Sequence, residues 1–283
     1  MTGDDQDPRS HWSALSQAER DAAYDNNKAV ANSPALIAAR NEASATLRAA
    51  RAAALDIPYG NRERAKVDLY PASDKSAPCL VFIHGGYWQR NSREVFAMLV
   101  EGMAAHGWSV AVPGYSLAPE ATLAEIVQDI SLALDWLAVN GPSRGIAGPV
   151  ILTGWSAGAH LAALALDHPL VAAGLAVSGV YDLAPIRDTS LNIALKLTDE
   201  EIATLSPLRL PIVQKHLTIA YGSAELPALV WDSKKLYDAR RAAGAPGDLV
   251  VIEDADHFTI LEELRRADGA LAKVALSLAA RPR

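Results

Sequence analysis

The chain has 283 residues, of which 50% are hydrophobic and 21% are charged, a composition typical of a globular protein that buries a large core. Its formal net charge of −7 argues against a nucleic-acid or anionic-membrane partner, because both need a basic surface. The single cysteine, Cys79, cannot form an intrachain disulfide and is expected to be a buried apolar residue.

The N-terminal segment predicts helices that precede the rest of the fold. Its first residues, MTGDDQDPRSHW, are acidic and polar where a secretory signal needs a basic and then an apolar region, so we expect a cytoplasmic protein. Helices are predicted over residues 14–24 and 34–54, with Ser33 as the N-cap of the second and Pro34 in its first turn. We interpret residues 1–55 as a helical extension.

From Lys66 onward, short β-branched runs alternate with helical stretches. The predicted strands are KVDLY, CLVFIHGG, WSVAVPGY, PVILTGWS, LAVSGVYDL, HLTIAYG and DLVVIED. The predicted helices are 93–106, 123–140, 157–167, 228–243 and 258–278. This alternation indicates an α/β protein with a mostly parallel central sheet flanked by helices. We predict one domain over residues 1–283, with the catalytic core in 56–283.

A serine-centred turn, GWSAG, joins the apolar run PVIL to an alanine-rich helical stretch. In an α/β hydrolase the nucleophile occupies a sharp turn between a strand and a helix, where crowding requires small residues two positions before and after it. Gly154 and Gly158 fill these positions around Ser156. Ser156 is therefore the candidate nucleophile; the alternative is a small residue in a tight turn.

A second motif, HGGYW, follows the apolar run CLVFI. Acyl transfer builds an oxyanion that backbone N–H groups stabilise, and glycines let the backbone approach the reacting carbon closely. The candidate donors are the amides of Gly85, Gly86, Tyr87 and Ala157, and the sequence does not decide which of them point inward. His84 is expected to orient this loop. An ordinary glycine turn is the alternative.

A serine nucleophile needs a base, and the base needs a carboxylate that fixes its tautomer. Of seven histidines, His257 has the best position, because it follows the last predicted strand. Glu225 follows the strand before it and is the preferred acid. Asp232 is the rival, although we expect it inside the next helix, and Asp254 and Asp256 are expected to point away from the neighbouring histidine.

Aromatic residues near these motifs are candidates for substrate binding. Tyr87, Trp88 and Trp155 would form an aromatic wall, although Trp88 and Trp155 are equally well explained as packing residues. His160 lies one helical turn after the serine and is expected to line or support the site. No large cap domain is predicted; the N-terminal helices and residues 184–214, in which TDEEIATLSPL predicts a short capped helix and a turn, are the expected lids.

Together these motifs resemble the α/β-hydrolase superfamily, and within it the HGGxW branch that includes bacterial kynurenine formamidases (arylformamidases) and related carboxylesterases. The resemblance extends from about Ile57 to the last helix, and the N-terminal helices are also similar to those of bacterial relatives. Such relatives often have His where this chain has Trp155 and Gly where it has Ala159. The matching positions are His84–Trp88, Tyr115, Leu117–Glu120, Gly154–Leu161, Ser178–Leu183 and the loops of Glu225 and His257.

The resemblance implies an α/β-hydrolase fold with N-terminal helices near the active site. It also implies a serine hydrolase that cleaves an aryl formamide such as N-formyl-kynurenine, or a small carboxylic ester, through an acyl-enzyme on a Ser156–His257–Glu225 triad. A general carboxylesterase without formamidase activity stays open. No metal or organic cofactor is required. The expected partner is a small ester or amide, and a homodimer is compatible with the sequence.

Two other classes of protein fit the sequence less well. A metal-dependent amidase would need clustered ligands such as HExxH, which the sequence lacks. A non-catalytic binding protein of the same fold would usually have lost a member of the triad, whereas all three candidates are present.

Overall fold

The computed structural model describes residues 7–50 and 55–281, and eight strands of this part form one sheet. Its strand order is β1-β2-β4-β3-β5-β6-β7-β8; β1 and β2 are antiparallel to their neighbours and the remaining pairs are parallel. The strands are β1 Ile57–Pro58, β2 Lys66–Tyr70, β3 Cys79–Ile83, β4 Ser109–Pro113, β5 Val150–Trp155, β6 Val171–Val177, β7 Leu217–Gly222 and β8 Leu249–Ile252. The prediction of a mostly parallel α/β sheet is confirmed.

Helices precede the sheet, join its strands and follow it. The α-helices of the described residues are α1 Gln17–Ala22, α2 Asn26–Ala29, α3 Ser33–Ala50, α4 Val100–Ala105, α5 Leu123–Asn140, α6 Ala157–Leu164, α7 Ala184–Arg187, α8 Asn192–Leu195, α9 Asp199–Leu205, α10 Pro227–Ala242, α11 Glu262–Arg265 and α12 Ala270–Ala279. No helix in this described part is both long and apolar enough to cross a membrane.

Side-chain alternation along β5 separates the two layers of the core. Leu152 packs with α5, α6 and α10 on one face of the sheet, whereas Ile151 and Trp155 pack with α4, α11 and α12 on the other. Every residue of β5 is buried, as expected for a strand covered on both faces. Because Trp155 is the last residue of β5, the chain leaves the middle of the sheet at Ser156.

Short 3₁₀ turns and breaks account for the differences from the predicted helices. The predicted helix 258–278 is interrupted between α11 and α12, and 93–106 is a 3₁₀ helix, Arg93–Leu99, followed by α4. The expectation that Ser33 caps α3 is wrong, because Ser33 is the first helical residue and its hydroxyl donates to the carbonyl of Asn27. Residues 51–54 of the predicted second helix lie outside the described residues.

The connection between β6 and β7 carries three short helices, α7 to α9, and no large cap domain stands between the described strands. The predicted capped helix in TDEEIATLSPL is confirmed as α9: the Thr198 hydroxyl accepts a hydrogen bond from the Glu201 amide, and the Glu201 carboxylate accepts one from Thr198. This connection lies beside the N-terminal helices, which Asp21 joins to it by accepting hydrogen bonds from the amide and hydroxyl of Ser190.

Candidate active site

Ser156 stands in a strained turn between β5 and α6. Its φ of 58° and ψ of −122° lie in a region that non-glycine residues rarely adopt. A Cβ at position 154 would lie 2.0 Å from the carbonyl oxygen of Gly158, and one at position 158 would lie 2.0 Å from that of Ile83. The two glycines of GWSAG are therefore sterically required, as the motif predicts.

His257 lies between Ser156 and Glu225 in a continuous hydrogen-bonded row. The imidazole Nε2 is 3.0 Å from the Ser156 Oγ, and Nδ1 is 2.8 Å from the Glu225 Oε2. The three residues follow β5, β8 and β7, and the carboxyl ends of these parallel strands meet at one edge of the sheet. The structure thus brings together the three residues that the sequence singled out.

The Glu225 carboxylate is fully buried and satisfied by donors on both oxygens. Oε1 accepts hydrogen bonds from the Ser178 hydroxyl at 2.5 Å and the Gly222 amide at 2.8 Å, which leaves Oε2 for His257. Ser178, with a φ of 55°, follows β6 in the same way that Ser156 follows β5. Buried charge is tolerated where it is paired in this way.

The rival carboxylates are committed to other partners. Asp232 lies inside α10, as expected, and its Oδ2 accepts hydrogen bonds from the amides of Tyr181 and Asp182 while Oδ1 pairs with Arg9 at 3.0 Å. Asp256 accepts hydrogen bonds from the two amides that follow His257 in the chain. Neither carboxylate is the partner of the imidazole.

The HGGYW loop passes directly over the serine turn. A Cβ at Gly85 would lie 2.8 Å from the Ser156 Cβ, so this position admits no side chain. Gly86 and Tyr87 have φ values of 124° and 51°, and within the described residues their N–H groups donate to no protein acceptor. Ala157 is the first residue of α6, where an N–H has no intrahelical partner.

His84 orients this loop from beneath, as expected. Its ring is stacked on Tyr115 at 4.2 Å, and its Nδ1 donates to the Gly85 carbonyl at 2.9 Å. Burial lowers the pKa of His84 to about 3, so the imidazole is neutral at physiological pH. The Tyr115 hydroxyl donates to the carbonyl of His84 at 2.7 Å and holds the start of the loop.

Similarity to known proteins agrees with this geometry. The BD-FAE family model matches residues 67–168. The chain is 32% identical over 240 residues to the kynurenine formamidase of Danio rerio, covering 79% of this chain and 81% of that protein. The chain belongs to the kynurenine formamidase family. A kynurenine formamidase of Drosophila melanogaster is 26% identical over 234 residues, covering 76% of this chain and 78% of that protein.

Solved structures place this formamidase-family chain among the α/β hydrolases. A Silicibacter protein described as a thioesterase superposes with a TM-score of 0.81 at 29% identity, covering 91% of this chain and 99% of that one. Esterase LipW of Mycobacterium marinum has a TM-score of 0.70 at 21% identity, covering 90% of each chain. The curated relatives show that the chain is a hydrolase with arylformamidase-like or carboxylesterase-like activity, and the solved structures show its fold.

A cavity of about 660 Å³ opens above the serine of this formamidase-family chain. Its floor includes Ser156, His257 and Trp155, and Tyr87 forms part of its wall. The remaining lining residues come from the N-terminal helices, the loop after Gly85, the β6–β7 connection and the loop after β8: Asp21, Tyr24, Asp25, Asn26, Asn27, Lys28, Ile37, Arg40, Gly86, Gln89, Arg90, Asn91, Thr189, Ser190, Leu191 and Phe258. The N-terminal helices thus line the cavity above Ser156.

Two predicted substrate-binding residues do not reach this cavity. Trp88 and His160 are both fully buried, and their rings contact each other edge to face at 5.0 Å. His160 donates from Nε2 to the carbonyl of Leu205 at 2.7 Å. The interpretation of both residues as substrate contacts is wrong, because the Trp88 indole packs in the core and His160 is held beside it by the Leu205 carbonyl.

Sequence reasoning missed three residues that the structure places at the site. Asn91 donates from Nδ2 to the Gly85 carbonyl at 3.1 Å, Ser178 holds the Glu225 carboxylate, and Arg40 of α3 lines the cavity. The SGVYD stretch after a predicted strand was a signal for Ser178. Arg40 carries no local signal, because only the docking of α3 against residues 93–99 brings it to the site.

Proposed function

We propose that this chain hydrolyses aryl formamides of the N-formyl-kynurenine type, with Ser156 as nucleophile, His257 as general base and Glu225 as the residue that orients the imidazole. The hydrogen-bonded row from Ser156 through His257 to Glu225, at the floor of a cavity of about 660 Å³, carries the proposal. Its substrate class comes from the formamidase relatives.

In the first step the Ser156 Oγ attacks the formyl carbon and His257 Nε2 takes the hydroxyl proton. The carbonyl oxygen gains negative charge, and the N–H groups of Gly86, Tyr87 and Ala157 are the proposed donors that stabilise it. The carbon–nitrogen bond then breaks, and His257 delivers its proton to the leaving arylamine. The formyl group remains as an ester on the serine.

In the second step a water molecule attacks the formyl ester while His257 accepts a proton from that water. Collapse of the second oxyanion breaks the carbon–oxygen bond to the serine, returns the proton to Ser156 and releases formate. The Glu225 carboxylate stabilises the imidazolium in both steps, and Ser178 and Gly222 keep that carboxylate in place.

A second candidate function is a carboxylesterase without formamidase activity. It is favoured by Trp155, whose indole lies beside the nucleophile where relatives often have His, and by the esterases among the similar proteins, such as an isoprenylcysteine methylesterase of Arabidopsis thaliana at 27% identity. The proposed chemistry at Ser156 is the same for both substrates, which differ in the acyl group that the serine accepts and in the leaving group.

The test compares kcat/KM for N-formyl-kynurenine and for a series of p-nitrophenyl esters, in wild type and in Ser156→Ala. Formamide turnover that rivals the best ester and disappears in the variant supports the proposal. Ester turnover alone assigns the chain to the carboxylesterases, and activity that survives in Ser156→Ala overturns the serine mechanism. Ser131→Ala, at a half-buried position of α5 that does not line the cavity, is the matched control.

Three further expectations remain predictions: one catalytic domain with a helical extension, a cytoplasmic location and a homodimer. The packing of α3 against residues 93–99 favours the first, because it joins the extension to the core. Size-exclusion chromatography with light scattering tests the last.

A further inference from the structure

Arg40 is a buried cation in the wall of the substrate cavity. It belongs to α3 in the N-terminal extension, is 7% exposed, and lines the same cavity as Ser156 and His257. Its guanidinium lies 4.3 Å above the ring of Phe96, which fixes the plane of the group. A long flexible side chain is thus held in one place in the wall of the cavity.

The guanidinium of Arg40 has only neutral hydrogen-bond partners. Nε and Nη2 donate to the Asn41 Oδ1 at 3.2 and 3.0 Å, and Nη2 also approaches the Asn91 Oδ1 at 3.5 Å. Among residues 7–50 and 55–281, no carboxylate lies within ion-pair distance of it, and Nη1 makes no hydrogen bond. Arg93, equally buried, is paired with Asp56 and Asp68.

The acidic groups that line the cavity are committed elsewhere. Asp21 accepts hydrogen bonds from the amide and hydroxyl of Ser190, and Asp25 accepts one from the Lys28 amide at the start of α2. The other cations of the cavity wall, Lys28 and Arg90, are exposed and therefore well hydrated. Arg40 is thus the buried cation of this wall.

A buried cation without an anion is costly, and an incoming carboxylate would offset that cost. Burial lowers the pKa of Arg40 to about 10, so the guanidinium is still charged at neutral pH. The N–H donors along the edge of the planar guanidinium match a carboxylate, and charge-assisted hydrogen bonds of this kind are about twice as strong as neutral ones.

We propose that Arg40 binds a carboxylate of the substrate, and that the enzyme therefore selects amides or esters whose leaving group carries that charge. This inference rests on the proposed function, since N-formyl-kynurenine has an amino-acid carboxylate on the part that leaves as the arylamine. The carboxylate is held by Arg40 while the formyl carbon lies over Ser156. Arg40 is thus a specificity-determining residue, and the proton transfers remain with His257.

A structural role for Arg40 would give a different signature. Arg40 contacts Asn91, and Asn91 donates to the Gly85 carbonyl, so the arginine could act by positioning the HGGYW loop. Loss of loop positioning lowers kcat for every substrate, because all of them need the oxyanion donors. Loss of an anion contact raises KM for negatively charged substrates more than for neutral ones. Matched pairs of substrates separate the two roles.

The experiment measures kcat and KM for two such pairs in wild type, Arg40→Gln and Arg40→Lys. The formamide pair is N-formyl-kynurenine and its decarboxylated analogue, N-formyl-kynuramine. The ester pair is 3-(2-acetoxyphenyl)propanoate and its primary amide. Arg144→Gln is the control, because Arg144 also stacks on an aromatic ring, 5.2 Å from Trp136, but lies beyond the opposite end of β5 from Ser156.

We expect wild type to prefer the charged member of each pair, and Arg40→Gln to reduce that preference about ten- to a hundredfold, mainly through KM. Arg40→Lys should retain part of the preference, and Arg144→Gln all of it. Equal losses on charged and neutral members, or no wild-type preference, would overturn the inference. If neither formamide is hydrolysed but Arg40→Gln reduces the preference for the charged ester, the proposed function fails and the carboxylate site stands. Melting temperatures identify variants that fail to fold.

Discussion

The indole Nε1 of Trp155 donates a 2.9 Å hydrogen bond to the main-chain carbonyl of His257, and the two rings lie 4.8 Å apart. Trp155 is the last residue of β5, whereas His257 lies in the loop after β8, 102 positions later in the chain. One side chain therefore joins the turn of the proposed nucleophile to the loop of the proposed base.

Trp155→Phe tests whether this contact positions His257. The substitution keeps most of the aromatic packing but removes the N–H donor, and it leaves the buried carbonyl of His257 without its partner. We expect a loss of about 1 kcal/mol in the free energy of unfolding. We also expect a fall of about tenfold in kcat with little change in KM, since misplacing the base affects the chemical step. Urea unfolding and steady-state kinetics measure the two effects.

Trp136→Phe in α5 is the control for aromatic substitution, because this half-buried indole lies far from the site. A Trp155→Phe variant with wild-type kcat would mean that the His257 loop is held by its other contacts alone.

Glu225→Gln tests the role proposed for the buried carboxylate. A glutamine at this position can still accept from Ser178 and Gly222 through its oxygen, but its NH₂ group then faces the His257 Nδ1. The imidazole must accept there and carry its proton on Nε2, which is the wrong tautomer for a base. In the serine-protease triad the equivalent change costs about 10⁴-fold in kcat, and we expect a loss of that order.

Ser178→Ala provides a graded comparison with Glu225→Gln. It removes one of two donors to the Glu225 Oε1 but leaves the carboxylate charge and the Gly222 amide in place. We expect a loss of about tenfold or less in kcat. Equal activity of Glu225→Gln and Ser178→Ala would exclude an electrostatic role for the carboxylate.

The sequence predicts the sheet, the serine turn and the three proposed catalytic residues because each depends on local rules. Buried parallel strands need apolar runs, and the turn at Ser156 needs glycine on both sides, so both leave a signal in a few adjacent residues. β1 was missed because two residues, Ile57 and Pro58, are too short to show a pattern.

Side-chain direction could not be predicted, because it depends on tertiary packing. Trp88 and Tyr87 are adjacent in the sequence, yet the Trp88 indole is buried beneath the loop whereas the Tyr87 ring lines the cavity. The Tyr87 hydroxyl donates to the carbonyl of Tyr24, 63 positions earlier in the chain. No local pattern records that contact, nor the approach of Arg40 to Phe96.

His160→Gln tests the acid sensitivity of the fold. Burial lowers the pKa of His160 from 6.5 to about 4, so the folded protein binds fewer protons at this site than the unfolded chain. The stability contributed by the neutral imidazole is present above pH 6.5 and is lost as the pH falls towards 4. At pH 5 the loss is about 2 kcal/mol relative to pH 7.

The glutamine variant does not titrate, so its deficit in stability relative to wild type should shrink by about that amount between pH 7 and pH 5. Chemical unfolding at the two pH values measures it. His11→Gln, which alters an exposed histidine, is the control and should show no such change. A pH-independent deficit in His160→Gln would show that the buried imidazole is not the titrating group.

Arg9→Gln tests how the N-terminal segment is held against the core. Arg9 pairs with the fully buried Asp232, whose pKa is raised by burial to about 6 even though the arginine lowers it. A carboxyl group with a raised folded-state pKa favours folding most when protonated, so its contribution is present below pH 4 and declines as the pH rises through 6. Without Arg9 the pKa of the carboxyl group rises further, and the decline continues to higher pH.

The variant should therefore cost about 3 kcal/mol in the free energy of unfolding at pH 7 and clearly less at pH 4.5, where Asp232 is mostly protonated. Arg187→Gln removes an exposed partner of Asp199 and should cost at most about 1 kcal/mol at either pH. Because residues 24–28 line the cavity, we also expect Arg9→Gln to raise KM as the segment before them loses its anchor. If the cost of Arg9→Gln is the same at both pH values, the Asp232 charge does not hold this segment.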